Sequence, residues 1–256
     1  MRGLMVLLAL LTLTALPARA EQIVSGLSQS QIAIDASFDG TAILIYGAAM
    51  RDAPPPSWPL LQVIITVEGP VVPITVRQKA RIAGIWINQG AVAIRNAPSF
   101  YAVMSTGALP DILSPEEDRQ YRVSIPMEIG AMQTRETVGD GSAAAYLAAF
   151  QRIKMASGSY VLAPDSVLLL QQSLFRTEVA LPANLIEGAY RVRIFLTRGG
   201  KVVDMQESQI AVSKAGLERF LFRLAQDQPL IYGLISLLIA GLAGWGASEL
   251  FRRMRW

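Results

Sequence analysis

The chain contains neither cysteine nor histidine in its 256 residues. Without them, Ser–His–Asp and Cys–His nucleophilic catalysis, haem ligation, thiol redox chemistry and ordinary zinc sites are excluded. The fold must hold by packing alone, with no disulfide framework. Charge is also scarce, at 17% of residues against 52% apolar, so the chain is more apolar than a typical soluble domain. Its formal charge of +3 does not mark a nucleic-acid partner. Arg2, Arg19, Arg252, Arg253 and Arg255 lie in the end segments with Glu249, and the remainder carries a net charge of −1. No large single-sign field is left to attract a polyanion. There is no phosphate-binding glycine loop, and Ser213-Lys214 lacks the S-x-x-K spacing of Ser–Lys hydrolases. No cofactor, metal site or catalytic residue is expected.

The apolar excess sits at the two ends. Arg2 precedes thirteen apolar or small residues at 4–16, then Pro17 and the small-x-small triplet Ala18-Arg19-Ala20. That is the form of a secretory signal peptide over 1–20, too short to cross a hydrocarbon core of about 30 Å. Residues 230–248 form a different segment, with no charge and many Leu and Ile, reaching about 28 Å as a helix. This predicts a transmembrane helix over 229–250. Arg252, Arg253 and Arg255 follow it and place the tail 251–256 in the cytoplasm. Tyr232, Trp245 and Trp256 stand near its ends, where amphipathic rings favour the interface. Ser236, Ala240, Gly244 and Ser248 recur every fourth residue and make a small-residue ridge on which another helix could pack. Before the span, apolar positions at helical spacing (Leu217, Phe220, Leu221, Leu224) predict an amphipathic juxtamembrane helix within 214–228. Pro229 separates the two.

Between the ends, over 21–213, the period is mostly two. Strand runs are expected at 31–36, 41–46, 61–67, 71–87, 175–181, 190–196 and 201–212. Gly199-Gly200 predicts a two-residue hairpin joining the last two. Tyr190, opening a penultimate strand after a Pro/Gly corner, matches the tyrosine corner of Ig-type sandwiches. The expected fold is therefore mainly β: an Ig-like β-sandwich ectodomain interrupted by a helical insertion at about 106–172. The insertion rests on the capping box at Ser114-Pro115-Glu116-Glu117 and on a helix expected over 140–156.

Candidate surfaces are few. Arg77, Lys79 and Arg81 share one strand face, whose default is a solvated face. Pro54, Pro55, Pro56 and Trp58 form a stiff aromatic loop between strands, either a connector or a recognition surface. The aromatic stretches Ile85-Trp86-Ile87-Asn88 and Pro98-Ser99-Phe100-Tyr101 are expected in the core. The acidic run Glu116-Glu117-Asp118 is explained by its place in a helix first turn.

Several of these stretches also carry a family resemblance. They are Gly26-Leu27-Ser28, Arg77-x-Lys79-x-Arg81 with Gly84-Ile85-Trp86-x-Asn88, and Pro98-Ser99-Phe100-Tyr101. Leu181-Pro182-Ala183-Asn184-Leu185, Ile194-Phe195-Leu196-Thr197-Arg198, and Gly216-Leu217-Glu218-Arg219-Phe220 with Gln228-Pro229 follow. Over nearly the whole mature chain the sequence resembles a family of single-pass transmembrane proteins of alphaproteobacteria. Only the length of the Pro54 loop departs from the pattern. The family has no established activity, so the resemblance transfers no catalytic residue. It implies a transport accessory, because the family's genes often accompany sulfite-exporter-type permeases.

The expectation is a non-enzymatic accessory protein of the cytoplasmic membrane, with its ectodomain in the periplasm. Its partners would be the lipid bilayer and a multi-pass protein such as a small-anion permease, or a second copy through the helix, with no nucleic acid. A periplasmic binding or chaperone-like module capturing a segment at a sheet edge is the second reading. A carboxylate- or Lys-based enzyme is a distant third.

Overall fold

Continuous β-branched runs broken by Gly and Pro recur through residues 21–214, and the computed structural model shows them as strands. It describes residues 21–35, 38–51, 54, 56–132, 134–138, 142–214 and 224–254. The expected signal peptide 1–20, Pro55, Arg255, Trp256 and residues 215–223 of the expected juxtamembrane helix lie outside the described residues. The chain is mostly β in several sheets and ends in one long apolar helix. Contacts divide it into two units. The first holds the described residues up to Ile32 and those of Asp39–Val212, the second those of Ala33–Phe38 and Ser213–Trp256.

One sheet has four strands, β1 (Gln22–Leu27), β3 (Gly40–Met50), β11 (Leu174–Pro182) and β10 (Leu168–Leu170), in the order β1-β3-β11-β10. A second has six: β2 (Gln31–Ile34), β13 (Lys201–Lys214), β12 (Gly188–Arg198), β4 (Leu61–Glu68), β7 (Tyr101–Ser105) and β9 (Tyr160–Ala163), in the order β2-β13-β12-β4-β7-β9. A third joins β5 (Val71–Ile82), β6 (Ile85–Pro98) and β8 (Thr134–Val138). Four helices, α1 (Leu109–Ile112), α2 (Pro115–Tyr121), α3 (Ile125–Gly130) and α4 (Ala143–Ala156), lie between β7 and β9 in sequence.

The middle strands of the six-stranded sheet read as near-continuous apolar runs because both of their faces are covered. All of β4 but Gln62 is buried, and so are Val192 to Thr197 of β12. The face carrying Ile64, Tyr101, Val103 and Phe195 packs against Ile112, Leu113, Val123, Ile125 and Ile129 of the helical region, Tyr146 and Phe150 of α4, and Val76, Val92 and Ile94 of the hairpin. Each such aromatic removes about 150–250 Å² from water. The four-stranded sheet alternates instead. Ile43, Ile45, Phe175 and Val179 are buried, while Leu44, Tyr46 and Leu174 are exposed.

The segment 106–172 shows why helices interrupt a β chain. β7 and β9 are neighbours in one sheet and run parallel. A parallel pair needs a crossover of a dozen residues or more, and α1–α4 belong to that crossover. The stretch is not helical throughout, since it also supplies β8, β9 and β10. Ser114 caps α2 by accepting a hydrogen bond from the Glu117 amide (3.3 Å), and Ser142 caps α4 through the Ala145 amide. The run expected as one strand over 71–87 is in fact a hairpin, β5 and β6, turning at Ala83 (φ 51°) and Gly84 (φ 87°). Alanine in the left-handed region is an unusual turn residue, which hid the turn from pattern reading. The Gly199-Gly200 turn is where it was expected, with both φ positive, and joins β12 to β13.

In the second unit, α5 (Pro229–Met254) begins with Pro at its first position, where the missing amide costs nothing. Its 26 residues reach about 39 Å. Residues 224–227 are also helical.

Candidate interaction surfaces

A catalytic or binding role must be sought first among the buried ionisable groups, and most of these have structural partners. Arg193 is 8% exposed. Its Nη1 donates to the Tyr121 carbonyl (2.7 Å) and its Nη2 to the Arg122 carbonyl and the Tyr101 hydroxyl (3.3 Å each), at the C-terminal end of α2. There the carbonyls lack helical partners and the helix dipole favours a cation. The guanidinium also lies 5.4 Å from the centre of the Phe195 ring. Glu21 accepts from Arg51 (3.3 Å) and Arg198 (2.6 Å), and all three side chains are nearly buried. Glu68 holds Arg191 through Nε (3.1 Å) and Nη2.

The acidic run at 116–118 is likewise occupied. Glu117 accepts from the Val202 amide (3.1 Å), Asp118 accepts from the amides of Val123 and Ser124, and Glu116 pairs with Arg119. Lys154 donates to the Ser99 carbonyl (3.3 Å) and stands over the Phe150 and Tyr160 rings, its ammonium pushed down by burial. Burial pushes up the Tyr101, Tyr160 and Glu128 groups, with Glu68 adding to the effect on Glu128. Among the described residues no three carboxylates come together to hold a metal.

The expected surface residues are scattered. Ser236, Ala240 and Gly244 lie exposed along α5, and nothing is within 4 Å of where a Gly244 Cβ would stand. Ser248 belongs to the same helix, with its side chain outside the described residues. Arg252 is exposed in the last turn, and the Arg253 side chain is not among those described. Pro54, Pro56 and Trp58 are exposed, Trp58 at 77%, and Arg198 Nη1 donates to the Pro59 carbonyl at the end of that loop. Tyr190 is fully buried, and its hydroxyl donates to the Ile186 carbonyl (3.1 Å) and accepts from the Ile186 amide (3.2 Å).

Two surfaces were not legible in the sequence. The first is an open groove of about 560 Å³ on the outer face of the four-stranded sheet, lined by Val24, Tyr46, Leu168, Leu170, Leu174 and Arg176. Four pairing strands bring together outward positions that are far apart in the chain. The second is the tip of the β5–β6 hairpin, where residues 81–89 are all exposed. The aromatics expected in the core are split by this geometry. Phe100 and Tyr101 are buried, whereas Trp86 is 65% and Ile85 67% exposed. Trp86 lies on the hairpin face opposite the one that α4 covers, so its burial fails for want of a neighbour. Arg77, Lys79 and Arg81 are exposed on β5, with Arg81 directly opposite Trp86 and Lys79 opposite Asn88.

At the other end of the chain, α5 has a charge-free stretch, Pro229–Ala247, with mean hydropathy 1.8 and none of it buried. It is long and apolar enough to cross a membrane. The family described as "Putative transmembrane protein (Alph_Pro_TM)" matches residues 22–253. The chain belongs to this family. The match spans the β-sheets and nearly all of α5. No curated protein matches the sequence.

Proposed function

We propose that this member of the family is a membrane-anchored accessory protein that works by binding rather than by catalysis. Its β-rich part lies on the periplasmic side, and α5 packs against a multi-pass membrane protein of the small-anion permease class. The observation that carries the reading is the bare circumference of α5. Leu230, Leu234, Leu237, Leu238, Ile239, Leu242 and Trp245 are 59–83% exposed over one half of the helix, and Ser236, Ala240 and Gly244 are exposed on the other. In a membrane this surface meets lipid or another helix, and the ridge of Ser236, Ala240, Gly244 and Ser248 permits close approach. The partner class is supported by the family's association with sulfite-exporter-type permeases. The structural employment of Arg193, Glu21, Glu68, Glu117 and Lys154 supports the non-catalytic part. Orientation follows from Arg252, Arg253 and Arg255, taken with a signal peptide over 1–20. The Ig-like sandwich reading of the β unit is supported by the Tyr190 hydroxyl, which bonds back to Ile186 as a tyrosine corner does.

A photocrosslinker at position 240 or 244 in native membranes tests the reading. A single recurrent multi-pass partner, lost in Ala240→Leu and Gly244→Leu, is expected. Crosslinks only to a second copy, or only to lipid, would sink it.

A second reading is favoured by the apolar groove beside edge strands β1 and β10: capture of an extended protein segment against the four-stranded sheet. Under it, Leu174→Asp in the full-length chain abolishes co-purification of the client and leaves the crosslinks of α5 unchanged.

A further inference from the structure

The β5–β6 hairpin is long, and only its base is needed by the core. Val76, Val92 and Ile94 join the buried cluster under α4. Beyond them the two strands continue into solvent to the Ala83-Gly84 turn, where a Cβ added at Gly84 would meet nothing within 4 Å. Exposed aliphatic side chains normally shorten such a hairpin or are replaced by polar ones. Here Ile82, Ile85 and Ile87 remain, 43–67% exposed, and the pairing sets Ile82 opposite Ile85 and Ala80 opposite Ile87 on one face. The other face carries Arg77, Lys79, Arg81 and Trp86. No carboxylate lies anywhere between Glu68 and Asp111, so the two hairpin strands hold four cations, Arg95 included, and no anion.

An aliphatic tip, a Trp beside it and cations with long apolar stems are the chemistry of a bilayer interface. Ile side chains enter the acyl boundary, Trp sits at headgroup level, and Arg and Lys reach phosphate while their stems stay in the apolar layer. A protein partner would need carboxylates opposite three cations together with an apolar pocket for the tip. An anionic membrane supplies both at once, and the family places this chain at a membrane. We propose that the hairpin tip, Ile82 to Ile87 with Arg77, Lys79 and Arg81, is a second membrane contact that inserts into an anionic lipid surface. The contact is independent of which partner α5 engages.

Because the chain has no cysteine, Ile85→Cys gives a unique site for an environment-sensitive fluorophore. Lys201→Cys, at the exposed start of β13 next to the Gly199-Gly200 turn, is the control. Each labelled full-length protein is reconstituted into phosphatidylglycerol–phosphatidylcholine vesicles carrying a quencher on the acyl chain, and separately into phosphatidylcholine alone. Strong lipid-borne quenching at position 85 is expected in the anionic vesicles, with little at position 201. The combined variant Arg77→Gln, Lys79→Gln, Arg81→Gln is expected to weaken it by roughly tenfold, as is replacing the anionic lipid. Position 85 quenched only from water, as position 201 is, would overturn the proposal. So would shielding at position 85 from water in the vesicles without quenching by the acyl-chain quencher, which would assign the tip to a protein contact. Unchanged quenching in the triple variant would remove the headgroup part.

Discussion

Strands β12 and β5 carry the same kind of pattern: apolar residues alternating with basic ones, Arg191 and Arg193 on the first, Arg77, Lys79 and Arg81 on the second. Their fates are opposite. Arg193 is buried against the end of α2, and Arg191 is fixed by the buried Glu68, whereas the three cations of β5 stand exposed. The difference lies in what the crossover brings over each strand. The C-terminal end of α2 offers Arg193 the carbonyls of Tyr121 and Arg122, and Glu68 of β4 offers Arg191 its carboxylate. On β5, α4 packs over the face of Val76, and Arg77, Lys79 and Arg81 stand on the opposite face, which stays exposed. A basic strand face is therefore solvated only if nothing with acceptors packs on it.

The contrast can be broken or sharpened by substitution in the full-length protein, followed by denaturant unfolding of the β signal in circular dichroism. Glu21→Ala is expected to have the largest effect, a loss of about 3–5 kcal/mol, because Arg51 and Arg198 would be left nearly buried without their carboxylate. A loss below about 1 kcal/mol would mean that these guanidinium groups find water easily. Arg193→Ala should cost about 2–3 kcal/mol, through the Tyr121 carbonyl losing its guanidinium donor and through lost packing on Phe195.

Glu128→Gln should act in the opposite direction. Burial raises the Glu128 carboxyl above its ordinary 4.5 in the folded state, so ionisation at neutral pH opposes folding. Below about pH 4.5 the carboxyl is protonated in both states and the penalty vanishes; it grows as pH rises from there through the folded value. The variant is thus expected to be more stable than the parent at neutral pH and equal to it in acid. A gain that persists below pH 4 would point to packing instead. The smallest effect belongs to the tip, where Arg77→Gln, Lys79→Gln and Arg81→Gln together should change stability by no more than about 0.5 kcal/mol. A larger loss would show that these cations are structural, as those of β12 are.

Part of this architecture could be read from pattern alone. The Gly199-Gly200 turn, the Ser114 and Ser142 caps and the apolar run of α5 each depend on local chemistry within a few residues. The Ala83-Gly84 turn was hidden because alanine rarely adopts a positive φ. The parallel pairing of β7 and β9 was hidden because the partners are separated by more than fifty residues, and no local signal records that distance. The groove on the four-stranded sheet escaped for the same reason: Val24, Tyr46, Leu170 and Leu174 meet only through pairing.

Two properties were determined by the sequence itself. The absence of Cys and His excludes whole classes of chemistry whatever the fold, and the charge-free stretch of α5 fixes a membrane segment because hydrophobic transfer depends on composition and length. Tertiary structure decided the rest. It alone settles which cations are buried, since alternation along a strand names two faces but not what covers them. It alone leaves Trp86 in the open, on the hairpin face opposite the one α4 covers, and the Ile residues of the tip exposed, because burial requires a neighbouring element and α4 stops short of them.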